Sequence, residues 1–350
     1  LTFREQRSPT SFPLLVTENL ALGYRRRPLL ENLNVAIAQG QFVCLVGANG
    51  AGKSTLIRIL AGLETPQKGN VWLQGERLDK LNGPQRAKRL SLVLTNRVDL
   101  AWISVLELVA LGRYPYTDWQ GRLGPEDQKI VREAIAAVGL TALQDQPLNN
   151  ISDGERQKAM IARALAQATS LILLDEPTAY LDLPRRVEVM QLLRSLAHQR
   201  GRTVLMSTHD LDLALRCADQ LWLITPDQTL VVGTPEELAL QGYLGRTFSS
   251  DIFCFDQTSG QFQLHHQWRS PIQFQGEGLV ATWTERALNR LGFEVVQGPC
   301  PLHLELKAQP TRWILTRSPA EGSSWRDSPL EFTSLGDLST HLQALQWEDC

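Results

Sequence analysis

Long apolar runs are the first thing missing from this 350-residue sequence. None approaches the ~18–20 residues that span a bilayer, so any membrane process the chain serves is served from the surface, expected to be the cytoplasmic one. The opening stretch LTFREQRSPTSF has no apolar core of signal-peptide length, and its first residue is not Met, which leaves open a start further upstream. An excess of one charge is missing as well. Lys+Arg 35 stand against Asp+Glu 37, for a formal net charge of −2, so no global field draws the chain to nucleic acid. The basic patches Arg25–Arg27 and Arg86–Arg89 read as solvated faces. The five cysteines (Cys44, Cys217, Cys254, Cys300, Cys350) are scattered without C-x-x-C spacing, which excludes a disulfide framework and points to a reducing compartment. Internal repeats, low-complexity segments and heptad runs are absent too. The length suits one large domain plus a smaller one.

What is present begins with Val46–Thr55, VGANGAGKST. It fits the phosphate-binding pattern G-x-x-x-x-G-K-[ST] with Gly47, Gly52, Lys53 and Ser54 in the required places. Backbone N–H groups must wrap a triphosphate closely, and Gly47, Gly50 and Gly52 give the main chain that freedom. Ala48, Asn49, Ala51 and Thr55 complete the loop. It enters a helix expected over Ser54–Leu60, whose N-terminal amides and dipole favour anionic phosphate. Lys53 adds a point charge for the outer phosphates, and the Ser54 hydroxyl suits Mg²⁺. The apolar run Gln41–Val46 ahead of the loop is what a buried parallel strand needs. This is a nucleotide-binding site.

Around it, Leu14–Ile37 reads as two or three short strands broken by Gly23 and by a basic turn at Arg25–Pro28. Strands are expected at Val71–Gln74 and Leu90–Leu94. From Asn96 to Asn150 the texture turns helical, with Ser104–Leu111 and Pro125–Val138 as helices. Then come a helix at Glu155–Ala168, a strand at Ser170–Leu174, a helix at Pro184–Gln199, a strand at Thr203–Ser207, a helix at Leu211–Cys217 and a strand at Gln220–Ile224. Strands alternating with helices indicate a largely parallel sheet with right-handed crossovers. Beyond about Phe248 the character changes. A hairpin (Ile252–Phe255, Gln261–His266), a helix at Thr282–Leu291, short strands at Phe293–Val296, Leu302–Lys307 and Trp313–Arg317, and a last helix at Leu335–Leu345 suggest a small α+β core. The expected division is an N-terminal extension (1–13), a nucleotide-binding domain (14–248, with a helical part at about 96–165) and a C-terminal domain (249–350).

The second carrier of chemistry is Leu171–Pro177, LILLDEP. Asp175 ends an apolar strand, where a carboxylate can hold Mg²⁺, and Glu176 can orient or deprotonate a water attacking the γ-phosphate. Two acids ending a buried strand are costly unless a cation is expected there.

GANGAGKST, ISDGERQ (Ile151–Gln157), LILLDEP and STHD (Ser207–Asp210), in that order, resemble the ATPase subunit of an ABC transporter over about Leu14–Thr247. The resemblance implies an α/β P-loop NTPase domain with a mainly parallel sheet, an antiparallel β subdomain and a helical insertion, here followed by the small α+β domain. It implies a head-to-tail homodimer with two ATP molecules and Mg²⁺ in the interface. Each ATP would lie between one subunit's phosphate loop and its partner's signature motif. By position, Tyr24 is similar to the aromatic residue that stacks on adenine, although an ordinary strand tyrosine reads the same way. Ser152 and Gly154 match the signature residues, Asp182 the segment between the two sites, and His209 the switch histidine that contacts the γ-phosphate.

Two departures stand out. The signature reads S-D-G-E where the family usually has S-G-G-Q, and Ser152 with Glu155 also fits a capping box at the following helix. Thr95 falls where the family commonly places a metal-contacting glutamine. The run Val105–Pro115, VLELVALGRYP, resembles importers for iron–siderophore chelates, haem and vitamin B12. It implies a groove for a permease helix with Trp102, Tyr114 and Tyr116 as anchors, or simply the core of the helical part. The partners implied are membrane permease subunits and, indirectly, an extracytoplasmic substrate-binding protein, with no nucleic acid. A soluble ABC ATPase of DNA repair or translation, and a nucleotide-gated scaffold with little turnover, remain the alternatives. Cys300, His303 and His265–His266 are weak metal candidates, His303 reading as an exposed strand residue.

Overall fold

The computed structural model describes residues 13–24, 27–94, 102–118, 120–250, 253–257, 260–264, 270–298, 300–317 and 328–348. The chain divides into two units. One runs through Ser250 and takes Cys254–Gln263; the other holds Asp251–Phe253 and the chain from Leu264 onward.

The first unit opens with β1 (Leu15–Tyr24), β2 (Arg27–Leu33) and β3 (Ala36–Ile37), followed by β4 (Phe42–Gly47) and helix α1 (Lys53–Leu60). Strands β5 (Lys68–Leu73) and β6 (Glu76–Arg77) return to an antiparallel layer ordered β2-β1-β5-β6, with β3 on β1. Pro28 lies on the edge strand β2, where a missing N–H costs no ladder bond. After α2 (Gly83–Ala87) and β7 (Leu90–Val93) come α3 (Val105–Ala110), α4 (Pro125–Ala137) and α5 (Asp153–Ala166). A 3-10 turn, Leu111–Tyr116, extends α3. Next are β8 (Leu171–Asp175), α6 (Leu183–Arg200), β9 (Thr203–Ser207), α7 (Leu211–Cys217), β10 (Gln220–Ile224), β11 (Leu230–Gly233), α8 (Pro235–Leu240), α9 (Tyr243–Phe248) and the strand pair β12 (Phe253–Asp256) and β13 (Gln261–Leu264), of which Phe253 and Leu264 belong to the second unit.

The main sheet is ordered β11-β10-β4-β9-β8-β7, parallel throughout except for β11. Its central strands have no polar face because both faces are covered. In β4, Phe42, Cys44 and Val46 point into the core shared with the helices, while Val43 and Leu45 point into the core under the antiparallel layer and α1. β8 repeats the division, with Ile172 and Leu174 on one side and Leu171 and Leu173 on the other. Each such side chain contributes about 1.5–3 kcal/mol on leaving water. Helices α3, α4 and α5 pack through Leu108, Val109, Val131, Ile135, Ala159 and Ala162. A Ser104–Glu107 capping box starts α3, and Gly201 in the left-handed region ends α6.

The second unit holds β14 (Ser270–Gln275), α10 (Gly278–Arg290), β15 (Phe293–Val296), β16 (Leu302–Ala308), β17 (Thr311–Arg317), β18 (Leu330–Phe332) and α11 (Leu335–Glu348). Its sheet is ordered β15-β14-β16-β17-β18, with β14 parallel to both neighbours. Ile272, Leu288, Phe293, Leu304, Leu315 and Leu342 form its own core. Trp313 Nε1 donates to Thr284 Oγ1 at 2.8 Å inside it. The interior strand β14 is not among the strands expected from the sequence, since SPIQFQ offers two apolar residues and a proline. Helix α10 starts at Gly278 rather than Thr282. His303 is half-buried rather than exposed, and His265–His266 lie outside the described residues. Among the described residues no helix is long and apolar enough to cross a membrane.

Candidate nucleotide site

Strand β4 delivers the chain to the loop, where glycine backbone geometry shapes the turn. Gly47 has φ 154°, and a Cβ there would lie 2.9 Å from the Ile224 carbonyl oxygen. Gly52, φ 101°, caps α1 in the left-handed region. Neither position accepts a side chain without strain. Ala48, Asn49 and Gly50 are exposed, Ala51 and Ser54 half-buried, and Thr55 buried. Lys53 is only 5 % exposed, and its Nζ donates to the carbonyls of Gly47 (2.9 Å) and Ala48 (3.0 Å). Burial lowers the Lys53 pKa, and the Glu176 and Asp175 carboxylates partly restore it. The loop thus closes on its own cation.

Asp175 ends β8 beside Ser207 at the end of β9. Its Oδ1 accepts hydrogen bonds from Ser54 Oγ (2.9 Å) and Ser207 Oγ (2.7 Å). Ser207 Oγ in turn accepts the Glu176 N–H at 2.9 Å. Glu176 sits at φ 49°, and its Oε1 lies 2.6 Å from His209 Nε2. One cation, two carboxylates, two hydroxyls and an imidazole therefore meet where the parallel strands end, beside a helix N-terminus. Ser54 Oγ and Asp175 are hard oxygen donors within reach of one another, so the set fits Mg²⁺, and the glycine-shaped loop fits phosphate. Among the described residues no group of three or more His, Cys, Asp or Glu is arranged to hold a metal ion without other ligands.

The other expected residues lie elsewhere. Ser152 caps α5 in a full box: its Oγ accepts the Glu155 N–H at 3.3 Å, while Glu155 Oε2 accepts from Ser152 N (2.8 Å) and Oγ (2.7 Å). Glu155 is folded back on its own helix, and the Ser152 hydrogen bonds hold its carboxyl below the usual carboxylate range. Gly154 is buried under Arg185, whose Cδ would lie 3.2 Å from an added Cβ. Asp182 caps α6 by accepting the Arg185 N–H at 3.1 Å. Tyr24 ends β1, but its side chain, like all of Thr95, lies outside the described residues. Of the expected anchors, Trp102 (89 % exposed) and Tyr114 (75 %) face solvent, while Tyr116 is half-buried under Arg113. Ser207 was missed as a site residue. Its signal was a lone hydroxyl closing the apolar strand TVLMS.

Residues 30–179 match the family model described as "ABC transporter", and residues 269–343 match "Iron ABC transporter C-terminal domain". An uncharacterized ABC transporter ATP-binding protein of Methanocaldococcus jannaschii is 39 % identical over 251 residues, 72 % of this chain and 87 % of that protein. The ferric enterobactin transport ATP-binding protein FepC of Escherichia coli (strain K12) is 39 % identical over 239 residues, 68 % of this chain and 88 % of that one. A structure described as a metal-chelate type ABC transporter in an inward-facing conformation superposes with a TM-score of 0.60 at 28 % identity, over 68 % of this chain and 89 % of that chain. A dimeric bacterial ABC transporter cassette gives 0.54 at 27 % identity, over 63 % and 98 %.

Proposed function

Since the chain belongs to the ATP-binding subunits of ABC transporters, we propose that it binds and hydrolyses ATP to power import of a metal chelate, of the iron–siderophore, haem or cobalamin type. The single observation behind this reading is the meeting of Lys53, Ser54, Asp175, Glu176, Ser207 and His209 at the strand ends. Relatives named for siderophore, hydroxamate and petrobactin transport support the substrate class.

In this reading the amides of Gly47–Thr55 and the Lys53 ammonium hold the β- and γ-phosphates. Ser54 and Asp175 would hold Mg²⁺, with Thr95 as a further candidate ligand, and the ion would supply charge neutralisation at the phosphates. Glu176 orients the attacking water and accepts its proton, and His209, on the same carboxylate, senses the γ-phosphate. Tyr24 stacks on adenine. Ser152, Gly154 and Asp182 serve the ATP of a second copy in a head-to-tail dimer, which seats peripherally on the cytoplasmic face of the membrane against permease subunits supplied by a substrate-binding protein.

Lys53→Ala tests the assignment, because no other residue supplies a cation inside the loop. Equilibrium binding and phosphate release should both fall by at least tenfold. Unchanged turnover in that variant sinks the site, whereas full turnover in a wild type that captures no membrane protein sinks the importer reading alone.

A further inference from the structure

The segment after α3 is fixed to α5 more firmly than an exposed docking loop needs. Gly112 lies so close to the last turn of α5 that a Cβ would sit 2.2 Å from the Arg163 carbonyl oxygen. Arg113 is 6 % exposed, although it is charged. Its Nε and Nη2 reach Asp127 Oδ1 at 2.9 Å each, and its Nη1 donates to the Ala166 carbonyl at 2.9 Å. Asp127 Oδ2 meanwhile accepts the Gly124 N–H at 3.0 Å, so the same carboxylate caps α4. The guanidinium lies 3.9 Å from the centre of the Tyr116 ring, and Tyr116 Oη donates to the Gln167 carbonyl at 3.0 Å. One buried side chain therefore joins the segment Leu111–Tyr116, the start of α4 and the end of α5.

A buried charge is expensive, and apolar residues would hold three helices together as well. What the planar fork adds is a fixed direction. On its outer side the clamped segment presents Leu111 (52 % exposed) and Tyr114 (75 %). At the other end of α5, roughly 20 Å away for a helix of 14 residues, stand Ser152 and Gly154. A rigid rod thus runs from the exposed aromatic surface to the signature residues, and Arg113 is the joint.

We propose that Arg113, paired with Asp127, is a positioning residue that makes the permease-facing segment and the signature helix move as one piece, so that a permease movement at Tyr114 reorients Ser152 and Gly154 against the second copy's ATP. The assignment rests on the importer reading above and goes beyond it by naming the residue that transmits the movement. The partners of Arg113 are Asp127, Ala166 and Tyr116, none of them in the nucleotide cluster, so it sets the response of turnover to the permease and not turnover itself.

The test uses the full chain, alone and in the complex it forms with co-purifying permease subunits. Arg113→Lys keeps a charge for Asp127 but cannot hold that carboxylate and the Ala166 carbonyl as a fork. Tyr116→Phe removes only the bond to Gln167. In both variants the turnover of the isolated chain should stay within about twofold of wild type. The ratio of complexed to isolated turnover should fall at least fivefold for Arg113→Lys and about twofold for Tyr116→Phe. Arg113→Lys combined with Asp127→Asn should be no worse than Arg113→Lys alone, since both break one unit. An unchanged ratio overturns the proposal. So does an equal fall in isolated and complexed rates, the mark of a merely structural residue. A wild-type chain that captures no membrane protein overturns the importer reading, and this assignment with it.

Discussion

Glu176 holds a left-handed backbone, φ 49°, which a non-glycine residue adopts at a cost of about 1–2 kcal/mol. The Ser207 hydroxyl helps hold it there by accepting its N–H while donating to Asp175. Ser207→Ala should leave that N–H unpaired and destabilise the chain by about 1–3 kcal/mol in urea unfolding, with slower turnover; Ser207→Thr, which keeps a hydroxyl, should recover most of the loss. Glu176→Gln keeps the shape of the side chain and the Ser54–Asp175 pair, so ATP binding should persist. Hydrolysis should slow by ~10²–10⁴-fold with loss of the proton acceptor. Size-exclusion chromatography with ATP should then show an accumulated dimer, and a monomer under those conditions contradicts the sandwich arrangement. These two residues mark what a single sequence reveals. An acid after an apolar strand announces chemistry, but Ser207 reads as the strand's polar end until its neighbour across the ladder is known.

Among the elements, α5 carries a charge-dependent cap. Hydrogen bonds from Ser152 lower the Glu155 pKa from its ordinary 4.5, so the unfolded chain binds the proton more readily than the folded one. The cap's contribution is complete above pH 4.5 and is lost as the pH falls through the depressed folded value. The gap in melting temperature between wild type and Glu155→Ala should therefore be widest near neutral pH and close on acidification; a gap that widens in acid rejects this account. The capping box was legible beforehand because S-x-x-E is a local pattern. The same holds for β9, α7 and β10, whose ends coincide with those read from apolar runs and turn residues. β14 is passed over because its alternation of Ile272 and Phe274 with Gln273 and Gln275 spans only four residues behind Ser-Pro, too short to mark a strand until pairing with β15 and β16 places it inside the sheet. Arg113 hid for a related reason. Its partners Asp127 and Ala166 are 14 and 53 residues away.

At the scale of the whole molecule, the strand pair β12–β13 bears on where a shortened chain can end. Phe255 is buried in the core of the first unit, and the Phe262 ring stands 5.4 Å from it and 6.2 Å from Phe248. A chain ending after Gln263 should keep wild-type nucleotide affinity. One ending after Phe248 should be less stable by about 1.5–3 kcal/mol, the worth of one buried phenylalanine. Thermal unfolding of the two truncations, with ATP titrations of each, checks both statements, and equal stability would remove the aromatic group's structural role. The second unit, with a core of its own, travels on the same polypeptide. In the head-to-tail pair proposed above, two copies of that unit are tethered to one assembly. Their encounter is then intramolecular, which raises the concentration each presents to the other above that of separate chains. An attraction between them too weak to detect in the separated units would be saturated on the transporter, and its strength would set how readily the ATPase pair comes apart between turnovers.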